Sequence, residues 1–215
     1  MHHIDEQVEK YVEGLFEVQH HDAVLAEMEA RAEAEGFPII GRAVGRLLEL
    51  QTRAIGGRRV IELGSGFGYS AYWFARAVGS EGEVICTEEN DDLIADAERY
   101  LGRAGLWDRV RYHRGDGLEL LSSSEGEYDV VYVDTHKFQY PDAWEAARRR
   151  IRVGGIYLCD NVLWRGMVPR GEDDTVFPGW PDAIREHNRL VASDPGWASH
   201  LDPTRDGVMV ALRVA

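Results

Sequence analysis

Six short apolar runs punctuate the chain, and stretches of helical period fill the gaps between them. RRVIEL (58–63), GEVICT (82–87), VRYH (110–113), YDVVYV (128–133), GGIYLC (154–159) and GVMVALRV (207–214) have the length and the β-branched or aromatic content of strands. Helices are predicted from about Tyr69 to Val78, over Leu93–Ala104, and from Pro181 to about Ser193. Upstream, residues 5–35 read as one or two amphipathic helices. Val8, Tyr11, Val12, Leu15, Leu25 and Met28 recur at helical spacing there, and Gly36 and Pro38 end the run. GRAVGRLLELQTRAI (41–55) makes a further helix. Strands that alternate with helices and are apolar throughout predict a parallel sheet covered on both faces. The expectation is one α/β domain, with a helical cap over 1–55 and a Rossmann-like core over 56–215. The only long irregular stretch, RGEDDTVFPGW (170–180), reads equally as a lid or as surface decoration.

Composition narrows the classes of function. The 215 residues allow a single sizeable core. No apolar run is long enough to span a bilayer, and the first residues lack the pattern of a secretory signal. Cys86 and Cys159 fall inside strands without a CxxC pairing, as small buried residues do, so a cytoplasmic location is expected. Net charge is −14, and residues 1–35 hold ten acids against Lys10 and Arg31. Such a surface disfavours broad contact with nucleic acid, although a local contact with tRNA is compatible with it.

The chemistry gathers at strand ends, where ligands bind in doubly wound sheets. VIELGSGFGYS (60–70) places Gly64, Gly66 and Gly68 between a strand and a helix. The dinucleotide fingerprint G-x-G-x-x-G needs its last glycine at position 69, which is tyrosine here. Glu62, two residues before the first glycine, suits the ammonium of a ligand better than a pyrophosphate. Glu88, after the second strand, is placed to take both hydroxyls of a ribose. Asp116, in RGDG, is placed to accept from an adenine amino group. Acids at three successive strand ends describe an adenosine with a cationic amino-acid tail, which is S-adenosylmethionine. Asp134, Asp160 and Asn161 follow two further strands and supply oxygen donors only. They suit Mg²⁺, with Ca²⁺ or Mn²⁺ as alternatives. Lys137 lies three residues past Asp134, as a candidate base for a hydroxyl held on the metal. Trp164 offers a flat wall to an aromatic ring. His113 and His136 lack metal-site spacing and read as ordinary histidines.

VIELGSGFGYSAYWFA, VDTHKFQYP and LCDNVLWRG resemble the cation-dependent O-methyltransferases, the group that includes caffeoyl-CoA and catechol O-methyltransferases. The resemblance runs from about Gly36 to the final strand. It implies a Rossmann-like class I methyltransferase fold, an α/β sheet of seven mostly parallel strands with the last antiparallel and helices on both faces. It also implies a homodimer. Cofactor contacts are implied at Ile40, Glu62, Gly64, Ser65, Gly66, Ser70, Glu88, Asp116, Gly117 and Asp134. Asp134, Asp160 and Asn161 are implied as metal ligands, Lys137 as the catalytic base, and a small aromatic diol as the acceptor. His136 stands where many members carry an acid, and FPIIGRAVG lacks the usual Ser-Pro pair. The alternatives are methylation of 5-hydroxyuridine in tRNA, which some bacterial relatives perform, a non-catalytic cofactor binder, and a nicotinamide dehydrogenase.

Overall fold

The computed structural model describes residues 22–215, together with Gln7, Tyr11, Gly14 and Leu15, which are helical and exposed. Val8, Val12 and the acids from Asp5 to Glu17 lie outside the described residues.

Seven strands form one sheet: β1 (Arg59–Leu63), β2 (Glu83–Glu88), β3 (Val110–Arg114), β4 (Tyr128–Val133), β5 (Ile151–Cys159), β6 (Trp197–Asp202) and β7 (Val208–Arg213). Their spatial order is β3-β2-β1-β4-β5-β7-β6. Only β7 runs antiparallel to its neighbours. β1, β4 and the end of β5 are buried almost without interruption, as strands covered on both faces must be. Side chains alternate between two cores. Val60, Val130, Tyr132 and Leu158 face one, and Ile61, Val131, Val133 and Tyr157 face the other.

The first core is covered by α1 (Ala23–Glu35), α2 (Gly41–Ala54), α3 (Tyr69–Val78) and α4 (Asp91–Arg103). The second is covered by α5 (Gly117–Ser123), α6 (Tyr140–Ala147) and α8 (Trp180–Ser193), with the short α7 (Met167–Arg170) at its edge. Asp22 caps α1 by accepting from Val24 and Leu25, and it also receives the Tyr72 hydroxyl at 2.6 Å. That bond ties α1 to α3, so the described cap helices belong to the same core as the sheet.

β6 is the strand that the apolar pattern does not reveal. WASHLD leaves Ala198, Ser199 and His200 exposed on the edge of the sheet. A half-solvated edge strand has no need of an apolar run. Cys86 and Cys159 are buried free thiols, as their positions in the strands led one to expect. Among the described residues, no helix is long and apolar enough to cross a membrane.

Candidate functional site

Strand order reverses between β1 and β4, and the site forms at that switch point. Asp134 N–H donates to Leu63 O at 2.9 Å, which brings the end of β4 against the glycine turn after β1. The approach is close enough that a Cβ on Gly64 (φ 84°) would lie 2.3 Å from Asp134 O. Asp160 N–H likewise bonds Val133 O at 3.0 Å, so Asp134 and Asp160 end adjacent strands. Above them lies a cavity of about 1570 Å³, beyond the ~300–1,000 Å³ of a one-ligand pocket and large enough for a cofactor beside an acceptor.

The glycine turn spends its amides internally. Gly64 N–H donates to Thr87 Oγ1, Ser65 N–H to Thr87 O, Gly66 N–H to Glu88 Oε2 and Gly68 N–H to Ser65 O, at 2.9–3.2 Å. Those four donors are not available to a pyrophosphate, which sets this turn apart from a dinucleotide-binding loop.

Ile40, Gly64, Ser65, Gly66, Ser70, Glu88, Asp134, Lys137, Asp160, Asn161 and Trp164 all line the cavity. Asp116 and Gly117 line a smaller adjoining hollow that shares Gly64, Glu88 and Asp134 with it. Asp116 also caps α5 through Glu119 N–H and takes Gln139 Nε2 at 2.8 Å. Glu62 does not line the cavity. It is fully buried beneath the turn, where it accepts from Ser70 Oγ and from the Cys86 thiol. Burial pushes its carboxyl up to about 7 against those hydrogen bonds. Glu62 therefore braces Ser70, which does reach the cavity.

Lys137 is buried as well. Its ammonium donates to Asp134 Oδ1 at 2.8 Å and lies 5.0 Å from the Tyr140 ring centre and 5.9 Å from that of Trp164. Burial, and secondly the like charge of Asp134, push Asp160 up to about 7. Two carboxylates held this way, with Asn161 beside them, are the surroundings that a hard cation relieves. The donor set is two carboxylates and one amide. Among the described residues, no group of three His, Cys, Asp or Glu side chains is placed to hold a metal ion. His113 and His136 are both exposed, and His136 stacks on Phe138.

Asn161 (φ 56°) is left-handed, a conformation that costs a side-chain-bearing residue about 1–2 kcal/mol. The carbonyls on either side of it are pinned. Tyr140 Oη donates to Asp160 O at 2.8 Å, and Asn188 Nδ2 donates to Val162 O at 2.9 Å. His187 orients that amide from behind, between Asn188 Oδ1 at 3.0 Å and the Tyr157 hydroxyl at 2.9 Å. Burial pushes the His187 imidazole down to about 4, so it is neutral near pH 7. In that state Nδ1–H donates to Asn188 while Nε2 accepts from Tyr157. Neither His187 nor Asn188 stands out in the sequence.

The irregular stretch after α7 builds the aromatic wall. Asp174 accepts from the amides of Val176 and Phe177 and from Trp164 Nε1 at 2.8 Å. Phe177 stacks on Trp180 at 4.3 Å, and Trp180 lies 5.2 Å from Trp164. All three rings line the cavity, as does Phe37. The sequence signals only Trp164. Phe177 and Trp180 flank Pro178 and Gly179 in a stretch with no period to place them.

The seven-stranded order and the cavity at its switch point are those of the Rossmann-like methyltransferase fold. The sequence profile of the O-methyltransferase family matches residues 9–214, and the chain belongs to that family. A catechol O-methyltransferase of Niastella koreensis is 32% identical over 171 residues, covering 77% of this chain and 76% of that protein. The O-methyltransferase TomG of Streptomyces achromogenes, involved in tomaymycin synthesis and solved with SAM, is 26% identical. It superposes with a TM-score of 0.79, covering 91% of this chain and 92% of that one. An O-methyltransferase of Bacillus cereus, solved with SAH, is 26% identical with a TM-score of 0.83, covering 96% and 97% of the two chains.

Proposed function

We propose that the chain is an S-adenosylmethionine- and divalent-cation-dependent O-methyltransferase acting on a vicinal diol of the catechol type. The observation that carries this reading is a single cavity with two unlike sets of lining groups. One is a glycine turn with four of its amides bonded internally, and the other is Asp134, Asp160, Asn161 and buried Lys137. The SAM and SAH bound to the two related proteins support the cofactor.

Ile40, Gly64, Ser65, Gly66, Ser70 and Glu88 would hold the cofactor, and Asp134, Asp160 and Asn161 the cation. When bound, the cofactor supplies a methyl group on a sulfonium for transfer to the acceptor oxygen, and the cation supplies Lewis acidity that favours loss of the hydroxyl proton. Lys137 would receive that proton at Nζ. Asp134 keeps the ammonium end in place, while the rings of Tyr140 and Trp164 shield it from water. Trp164, Phe177 and Trp180 orient the acceptor ring, and Asn188 and Tyr140 fix the turn that presents Asn161. Positioning of two reactants is the main contribution expected of such a site. The reading includes a homodimer, which gel filtration with light scattering tests.

The deciding assay is methyl transfer from S-adenosylmethionine to catechol, caffeate and 3,4-dihydroxybenzoate, with Mg²⁺ and with EDTA. Turnover with Mg²⁺ that disappears in EDTA is expected. Full turnover in EDTA would remove the cation from the reading. Absence of turnover on every diol would remove the acceptor class.

A further inference from the structure

Four non-glycine residues among those described have a left-handed backbone: Asn161 (φ 56°), Trp164 (43°), Arg165 (51°) and Arg205 (53°). All four line the main cavity. Strain that persists only around one site points to a role there. Asn161 and Trp164 have roles in the reading above, and the two arginines have none. Their segments are fastened side by side. Val162 N–H donates to Gly207 O at 3.1 Å, Leu163 N–H to Asp206 O at 2.9 Å, and Arg165 N–H to Asp206 Oδ1 at 2.5 Å. The turn between β6 and β7 thus carries Arg205 to the rim that Arg165 occupies.

Both arginines are exposed, and neither guanidinium forms an ion pair or a hydrogen bond with a described residue. Arg165 lies over Trp164, its Cζ 5.2 Å from the ring centre. Arg205 reaches across Gly41, where an added Cβ would fall 2.0 Å from Nη1, so the missing side chain leaves it that room. The cations beside them are engaged. Arg42 grips Glu29 with two bonds of 2.8 Å, and Lys137 holds Asp134. Nearby carboxylates are also occupied. Asp206 takes the Arg165 amide, and Asp174 takes the Trp164 indole. In a chain of net charge −14, two guanidiniums that no carboxylate of the described residues grips directly stand at the mouth of the main cavity, open to an incoming anion.

We infer that Arg165 and Arg205 read a carboxylate on the acceptor, so that the preferred substrate is a vicinal-diol ring bearing an acidic group. Its hydroxyls face the Asp134–Asp160–Asn161 end and its carboxylate meets the arginine rim, with Trp164 between. The inference rests on the catechol reading and narrows it.

The test compares 3,4-dihydroxybenzoate with its uncharged counterpart 3,4-dihydroxybenzamide. Calorimetry on protein loaded with SAH and Mg²⁺ gives the Kd of each, and turnover is followed in parallel. The acid should bind about tenfold tighter or better, the size of one charge-assisted hydrogen bond. Arg165→Gln and Arg205→Gln should each shrink that ratio, and Arg205→Glu should turn the preference toward dopamine, a cationic catechol. Equal affinity for acid and amide in the wild-type protein, or binding of neither, overturns the inference. So does a ratio that survives both glutamine substitutions. Loss of SAH affinity in the variants with the ratio unchanged would assign the arginines to the cofactor's carboxylate, and overturns it as well. Selective binding of the acid without methyl transfer counts against the catechol reaction and leaves the arginine pair standing.

Discussion

Gly45 lies where α2 meets α3, and an alanine there should destabilise the fold although alanine is the better helix former. A Cβ at this position would sit 2.2 Å from Trp73 Nε1, 2.3 Å from Cε2 and 2.6 Å from Cδ1. Carbon atoms in contact prefer ~3.5–4.0 Å, so the indole must retreat by more than ~1 Å. Trp73 is fully buried and meets Tyr72 edge-on at 5.6 Å, which leaves it little room. Helix propensity gains about 1 kcal/mol from the substitution. Overpacking costs about 1–3 kcal/mol, and a displacement this large belongs at the top of that range. The net is a loss of about 2 kcal/mol, or roughly 4–8 °C in Tm for a chain of this size. Gly102, in α4, is the internal control. Nothing lies within 4 Å of a Cβ there and its φ is not positive, so Gly102→Ala should gain about 0.5 kcal/mol. Urea and thermal melts of both variants read the difference directly. A Gly45→Ala protein as stable as wild type would refute the close approach of α2 to α3.

Three further outcomes are expected. In the folded state the His187 pKa lies near 4, below the usual ~6.5, so acidification through that window charges the unfolded chain first. About 3 kcal/mol of stability should be lost between pH 6.5 and pH 4, and His187→Gln should lack that loss when the two pH profiles are subtracted; parallel profiles would reject it. Mg²⁺ at a hundredfold its Kd should stabilise the wild type by about 2.7 kcal/mol. Asp160→Asn should abolish that increment in thermal melts while SAH binding persists, and an undiminished increment would take Asp160 out of the metal site. Lys137→Met should lower kcat by about 10²–10⁴-fold with little change in acceptor KM. Kinetics like those of wild type would exclude Lys137 as the base.

How much of this was legible in the sequence follows from what each element must bury. β1, β4 and β5 are covered on both faces and announce themselves as apolar runs, whereas β6 is half solvated and does not. Asp134, Asp160 and Asn161 were legible because strand ends of a parallel sheet converge by topology alone. The place of Glu62 was not. That it faces inward depends on Ser70 and Cys86, which arrive from a neighbouring helix and strand. Phe177 and Arg205 reach the cavity from irregular segments and Trp180 from the first residue of α8, where no period tells the side on which a residue falls. His187 and Asn188 sit in α8, whose sequence looks like that of any amphipathic helix. Their importance comes from Tyr157 and Val162, which only folding brings alongside.

The reversal of strand order at β1 and β4 also draws the cavity wall from two separate stretches of the chain. Residues from Ile40 to Glu88 and from Asp134 to Arg205 line it together, and the two stretches touch where Gly64 abuts Asp134 and where Arg205 passes Gly41. A change at Asp206 would therefore loosen the Arg165 and Arg205 segments together.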